Sequence, residues 1–110
     1  MDQLRILYVT TGSLEEARTI GRALVEDNLC ACVNILGNME SIYPWNGEIQ
    51  SDTEQVMLVK TTAEQVAAVT DAILELHSYD VPCVISLPLS DTEGNPEYLN
   101  WIRQTTANPT

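Results

Sequence analysis

The chain has 110 residues, 45% of them apolar, which is enough for one domain with a real interior and too few for a second core. Sixteen acids against five bases give a formal net charge of −11. That field repels phosphate backbones, which argues against a nucleic-acid partner, and it draws cations to the surface. No apolar run approaches the ~20 residues of a membrane helix, and Met1-Asp2-Gln3-Leu4-Arg5 lacks the basic start and small-residue cleavage site of an export signal. The expectation is a soluble, cytoplasmic protein without a membrane partner. An odd count of three cysteines, Cys30, Cys32 and Cys83, then reads as reduced thiols rather than a disulfide framework.

In chain order, Leu4 to Thr11 is apolar on both faces and predicts a central strand. Ser13-Leu14-Glu15-Glu16 has the form of a capping box, in which the Ser13 hydroxyl accepts from the Glu16 amide and Glu16 reaches back. The helix it opens places Ala17, Ile20, Leu24 and Val25 on one stripe and fades near Asn28. A second strand is expected from Cys30 past Ile35 and on toward Trp45, with Ala31, Val33 and Ile35 toward the helices and Cys30, Cys32 and Asn34 on the other face. Asn46-Gly47 suits a tight hairpin turn, because both residues tolerate positive φ. The returning strand ends in Val56-Met57-Leu58-Val59-Lys60, and Gly37-Asn38 and the polar stretch 50–55 are candidate bulges.

Thr62-Ala63-Glu64-Gln65 reads as a second capping box, opening a helix with Val66, Val69, Ile73 and Leu76 on its stripe. A short strand over Val81 to Leu89 has prolines near both ends, as befits a sheet edge. Asn95-Pro96-Glu97 then supplies cap, first-turn proline and first-turn acid for a terminal helix carrying Leu99, Trp101 and Ile102. The order β-α-β-β-α-β plus a C-terminal helix is that of an α+β ferredoxin-like sandwich with a long hairpin, one domain over residues 1–110. Both main helices cover one sheet face, and the bare opposite face invites self-association.

Chemistry-bearing residues are few. Cys30-Ala31-Cys32 puts two sulfurs near each other, soft donors suited to copper or zinc, in a spacing that matches no zinc finger. Free cysteine is also commonly a small buried hydrophobe. His77, the only histidine, follows the second helix, where the helix dipole favours its cationic form and a capping role competes with a ligand role. No phosphate loop, nucleophile elbow or HExxH motif is present, so an enzyme is the least favoured class.

The segments Ala31-Cys32-Val33-Asn34-Ile35, Ser41-Ile42-Tyr43-Pro44-Trp45-Asn46-Gly47, Lys60-Thr61-Thr62, His77-Ser78-Tyr79-Asp80-Val81-Pro82 and Gly94-Asn95-Pro96-Glu97-Tyr98-Leu99-Asn100-Trp101 resemble the CutA divalent-cation tolerance family, in its order and over nearly the whole chain. The resemblance implies a ferredoxin-like fold, a homotrimer joined by the long hairpins, and binding of copper or another divalent cation as cofactor or cargo. It further implies Cys32 and His77 as the metal residues, near a cleft between protomers. This chain departs from the family pattern at Pro44, Asn46, Ser78, Asp80 and Cys83, and its additional thiols at Cys30 and Cys83 favour soft metals. The alternatives are a trimeric signalling module that binds a small metabolite at subunit clefts, and a structural trimer with incidental metal binding.

Overall fold

The computed structural model describes residues 3–107. The expectations placed on Met1 and Asp2 therefore lie outside the described residues. The elements are β1 (Leu4–Thr11), α1 (Leu14–Glu26), β2 (Cys32–Trp45), β3 (Glu48–Thr62), α2 (Val66–Leu76), β4 (Val84–Pro88) and α3 (Pro96–Ala107). The four strands form one antiparallel sheet in the order β2-β3-β1-β4, the α+β ferredoxin-like arrangement. No helix among the described residues is long and apolar enough to cross a membrane.

The core lies between the sheet and α1 and α2. Leu7 and Val9 of β1 and Met57 and Val59 of β3 meet Ala17, Ile20 and Leu24 of α1 and Val69 and Ile73 of α2, all fully buried. α3 crosses the other face at one end only, where Leu4, Ala31 and Ile102 form a second small cluster and Lys60 Nζ donates to the Tyr98 hydroxyl at 3.0 Å. The rest of that face stays open, with Leu36, Ile85 and Leu87 exposed on it.

Local signals set most boundaries. Ser13 Oγ accepts from the Glu16 amide at 3.1 Å, as a capping box requires. The Glu16 carboxylate does not complete that box; it bonds the Gly12 and Ser78 amides instead. Asn46 (φ 51°) and Gly47 (φ 79°) form the hairpin turn. The single register shift falls between Leu36 and Met39, at Gly37-Asn38, and Gln55 Oε1 accepts from the Asn38 amide there. Residues 50–54 pair with β2 without a break, and Gln55 lies opposite the shift.

Other expectations are corrected. β2 starts at Cys32, not Cys30, because Asn28 (φ 58°) ends α1 and Ala31 N–H bonds the Lys60 carbonyl in a short connector. The strand alternation does not reach back through that connector. Cys30 therefore sits in the main core and Ala31 turns to the α3 side, the reverse of their expected placement. Val25 and Leu76 are exposed rather than on the buried stripes. Thr62 makes no side-chain cap; a 3₁₀ turn, Ala63–Gln65, leads into α2. β4 is shorter than expected, since residues 81–83 leave the ladder, and it is an edge strand as its prolines require.

A side chain at Gly47 must occupy the left-handed region. Gly47→Ala should lower the unfolding free energy by about 1–2 kcal/mol, and Asn46→Gly by much less, in urea titrations followed by far-UV circular dichroism.

Candidate functional site

A concavity of about 820 Å³ lies where the hairpin passes the C-terminal end of β1 and the segment 77–83. Alternation puts Tyr43 and Trp45 of β2 and Gln50, Asp52 and Glu54 of β3 on one face of the hairpin. Tyr79, Asp80 and Cys83 close the opposite side, over Thr10 and Gly12. Three carboxylates line this space and no Lys or Arg does. The Tyr43 hydroxyl donates to Asp52, and the Tyr79 hydroxyl donates to Glu54 at 2.9 Å.

Those phenols are held protonated. Burial and then the Glu54 carboxylate push Tyr79 up to about 12. The hydrogen bond to Asp52 raises Tyr43 above its ordinary value. Burial likewise raises the Cys83 thiol, against a hydrogen bond with Thr10 that lowers it. The site thus offers carboxylate oxygens, one thiol and aromatic walls, a surface suited to a cation.

His77 lies beneath this wall with its side chain fully buried. Its Nε2 donates to the Thr10 carbonyl at 2.7 Å and its Nδ1 accepts from the Tyr79 amide at 3.1 Å. Because a carbonyl only accepts, this bonding specifies the Nε2–H tautomer. The ring does not cap α2; it ties the start of the 77–83 segment to β1. Glu16 reinforces the tie, with Oε2 accepting from the Ser78 amide at 2.7 Å and Oε1 from the Gly12 amide at 3.3 Å.

Cys32 is elsewhere. It is half-buried at the start of β2 and pairs with Lys60, which in turn pairs with Ile6. His77 meets β1 four residues further on, at Thr10. Two strand spacings and four residues of β1 put the two roughly 15 Å apart, too far to share an ion within one chain. Among the described residues no group of three or more His, Cys, Asp or Glu side chains is placed to hold a metal. Cys30 is enclosed in the core, and burial pushes its thiol up to about 12. Cys83 lines the cavity. The cavity carboxylates Asp52 and Glu54 were not singled out from the sequence, although two-residue alternation from Tyr43 and Trp45 across the turn brings them together. The Glu16–Ser78 contact had no such signal.

Partial burial works to raise the Glu16 pKa, but the Ser78 and Gly12 hydrogen bonds and the nearby His77 ring outweigh it and hold the group below its ordinary 4.5. A depressed carboxylate stabilises the fold above its unfolded value, and that contribution fades as pH falls through the folded one. The Ser78 amide resonance should therefore titrate below pH 4.5. In Glu16→Gln this titration should vanish and the melting temperature should fall less steeply in acid.

A family model described as CutA1 divalent ion tolerance protein matches residues 5–105. The divalent-cation tolerance protein CutA of Thermus thermophilus is 46% identical over 101 residues, covering 92% of this chain and 96% of that protein. Human protein CutA is 43% identical over 99 residues, and there the chain spans about half, 54%, of the relative's length. The crystal structure of CutA1 from Ehrlichia chaffeensis superposes with a TM-score of 0.91 at 36% identity, covering 98% of this chain and 99% of that one. These names denote divalent-cation tolerance and not an enzymatic activity. With its four-stranded sheet, three helices and long hairpin, the chain belongs to the CutA1 divalent ion tolerance family.

Proposed function

We propose that the chain works in the cytoplasm as a homotrimeric, non-enzymatic protein that binds copper or another divalent cation in metal tolerance. The observation that carries this reading is the open cavity walled by Asp52, Glu54, Asp80 and Cys83 with no basic residue on its lining. One chain does not provide a closed donor set, so ligation in this reading draws on more than one copy. Cys32 and His77, the metal residues implied by the family resemblance, would then act in a cleft between protomers. A ligand role through His77 Nε2 requires that atom to release the Thr10 carbonyl, which leaves a buried acceptor unpaired and costs about 1–3 kcal/mol. Cys32 carries no such penalty. The size of the cavity also favours a second reading, a small metabolite held at the same cleft.

The hairpin supports the assembly. Its arms have 14 and 15 residues, against 8 in β1 and 5 in β4, and its outer half leaves Ile42, Trp45 and Ile49 between 63 and 74% exposed. Such an arm with one apolar end calls for a neighbour's sheet. Light scattering should give three times the 12.2 kDa chain mass. Trp45→Ala should weaken association by about 3 kcal/mol or more. A stable monomer, or an unchanged assembly in the variant, would refute the arrangement.

Anaerobic titrations of the reduced protein test the metal reading. Cys32→Ala should reduce Cu(I) affinity most, since Cu(I) prefers sulfur, and His77→Ala should reduce Cu(II) affinity most. Both affinities should fall from pH 8 to pH 6 as protons compete with the metal for thiolate and imidazole. A folded double variant that binds both ions as the parent does would assign the metal to the carboxylates.

A further inference from the structure

A second concavity lies on the opposite side of the sheet. Between α1 and the outer strand β2 lies a shallow groove of about 270 Å³, lined by Arg18, Gly21, Arg22, Val25, Val33 and Ile35. We propose that this groove docks an acidic segment of another protein, seating an apolar side chain on its floor and two carboxylates on its arginines. The inference is independent of the cation reading, since the groove shares no residue with the cavity.

The floor is apolar because α1 does not fully cover the edge of the sheet. Met57 and Val59 on β3 are fully buried, whereas their cross-strand partners Ile35 and Val33 are only partly covered. Helix and strand approach closely at Gly21, where a Cβ would lie 3.2 Å from Val33 Cγ1. Arg18, Arg22 and Val25 follow at spacings of four and three and form one stripe above that floor. Val25 is 42% exposed, an apolar side chain that the fold itself does not use.

Charge identifies the occupant. The chain has only five basic residues. Arg5 bonds the Leu4 carbonyl and Gln3, Lys60 bonds Tyr98, and Arg103 bonds Asn100 and the Asp91 carbonyl. The side chains of Arg18 and Arg22 have no hydrogen bond or ion pair among the described residues, although Glu15 and Glu26 lie within helical reach of them. Both uncommitted cations of an acidic chain therefore flank the same apolar groove. Their Cβ atoms, about 5–6 Å apart, match carboxylates one helical turn apart or two residues apart on an extended segment. Guanidinium binds carboxylate in a bidentate fork, which gives such a contact orientation as well as strength. The surrounding net charge of −11 opposes long-range approach of an acidic partner, but salt screens that field beyond about 8–10 Å and spares the close contact.

The test is selection of a random dodecapeptide display library on the immobilised full-length protein, followed by fluorescence anisotropy with the enriched peptide. The enriched sequences should carry paired Asp or Glu around an aliphatic or aromatic residue. Binding should weaken about tenfold or more in Arg18→Gln/Arg22→Gln and in Val25→Asp, which alter exposed helix positions. The control Ala67→Glu/Ala68→Glu adds the same two units of negative charge on α2 and should change affinity less than about twofold. Enrichment of non-acidic peptides, no enrichment, or equal binding by the arginine double variant would overturn the proposal. Arginine-dependent co-sedimentation with phosphatidylglycerol vesicles would overturn it in favour of a lipid surface. An arginine-dependent mass above that of the parent assembly would overturn it in favour of self-contact.

Discussion

Everything in this molecule hangs on β3. It is one of the two central strands of the sheet, bonded to β1 from Gln55 to Thr62 and to β2 from Glu48 to Lys60, and the only one of the two that extends into the hairpin. Met57 and Val59 point from it into the helix layer, while Val56, Leu58 and Lys60 point to the open face. The same strand continues past the end of β1 as the free arm that carries Asp52 and Glu54. The core, the uncovered face and the acidic wall are successive stretches of a single strand, so its register fixes their relative placement. A slip of one residue would exchange Met57 and Val59 for their neighbours from the open face and turn the wall carboxylates to the other side of the hairpin.

Whatever could be decided by a few neighbouring residues was legible in the sequence. Ser13 announced the start of α1, Asn46-Gly47 the hairpin turn and Gly37-Asn38 the bulge, because each is a local choice of backbone dihedral or cap. The placement of Cys30 was not legible, because it depends on Asn28 ending the helix in the left-handed conformation and on Ala31 reaching the Lys60 carbonyl. Thr62 shows the reverse failure: a sequence with the pattern of a cap, taken over by a 3₁₀ turn. Periodicity marked Val25 as a core residue, but α1 meets only the margin of the sheet there.

The candidate site was legible in part for the same reason. Alternation along two arms joined by a two-residue turn implies a shared face for Tyr43, Trp45, Gln50 and Asp52. His77 was visible as the lone imidazole, but its partner Thr10 is 67 residues away in sequence. The Glu16 bond to the Ser78 amide spans 62 residues. Contacts of this kind follow from the assembled sheet, and no sequence window contains both ends.

The 77–83 segment is fastened in an uneven way. Its ties are polar: the His77 ring to the Thr10 carbonyl, the Ser78 amide to Glu16, and the Tyr79 hydroxyl to Glu54. Val81, in its middle, is 89% exposed and contributes almost nothing to burial. A stretch held mainly by hydrogen bonds, with little apolar area, opens at lower free energy than the ladder beside it. One wall of the cavity is therefore fastened less firmly than the strand wall that faces it. A cavity with one strand wall and one wall held by polar contacts is less fixed in shape than one walled by ladder on both sides.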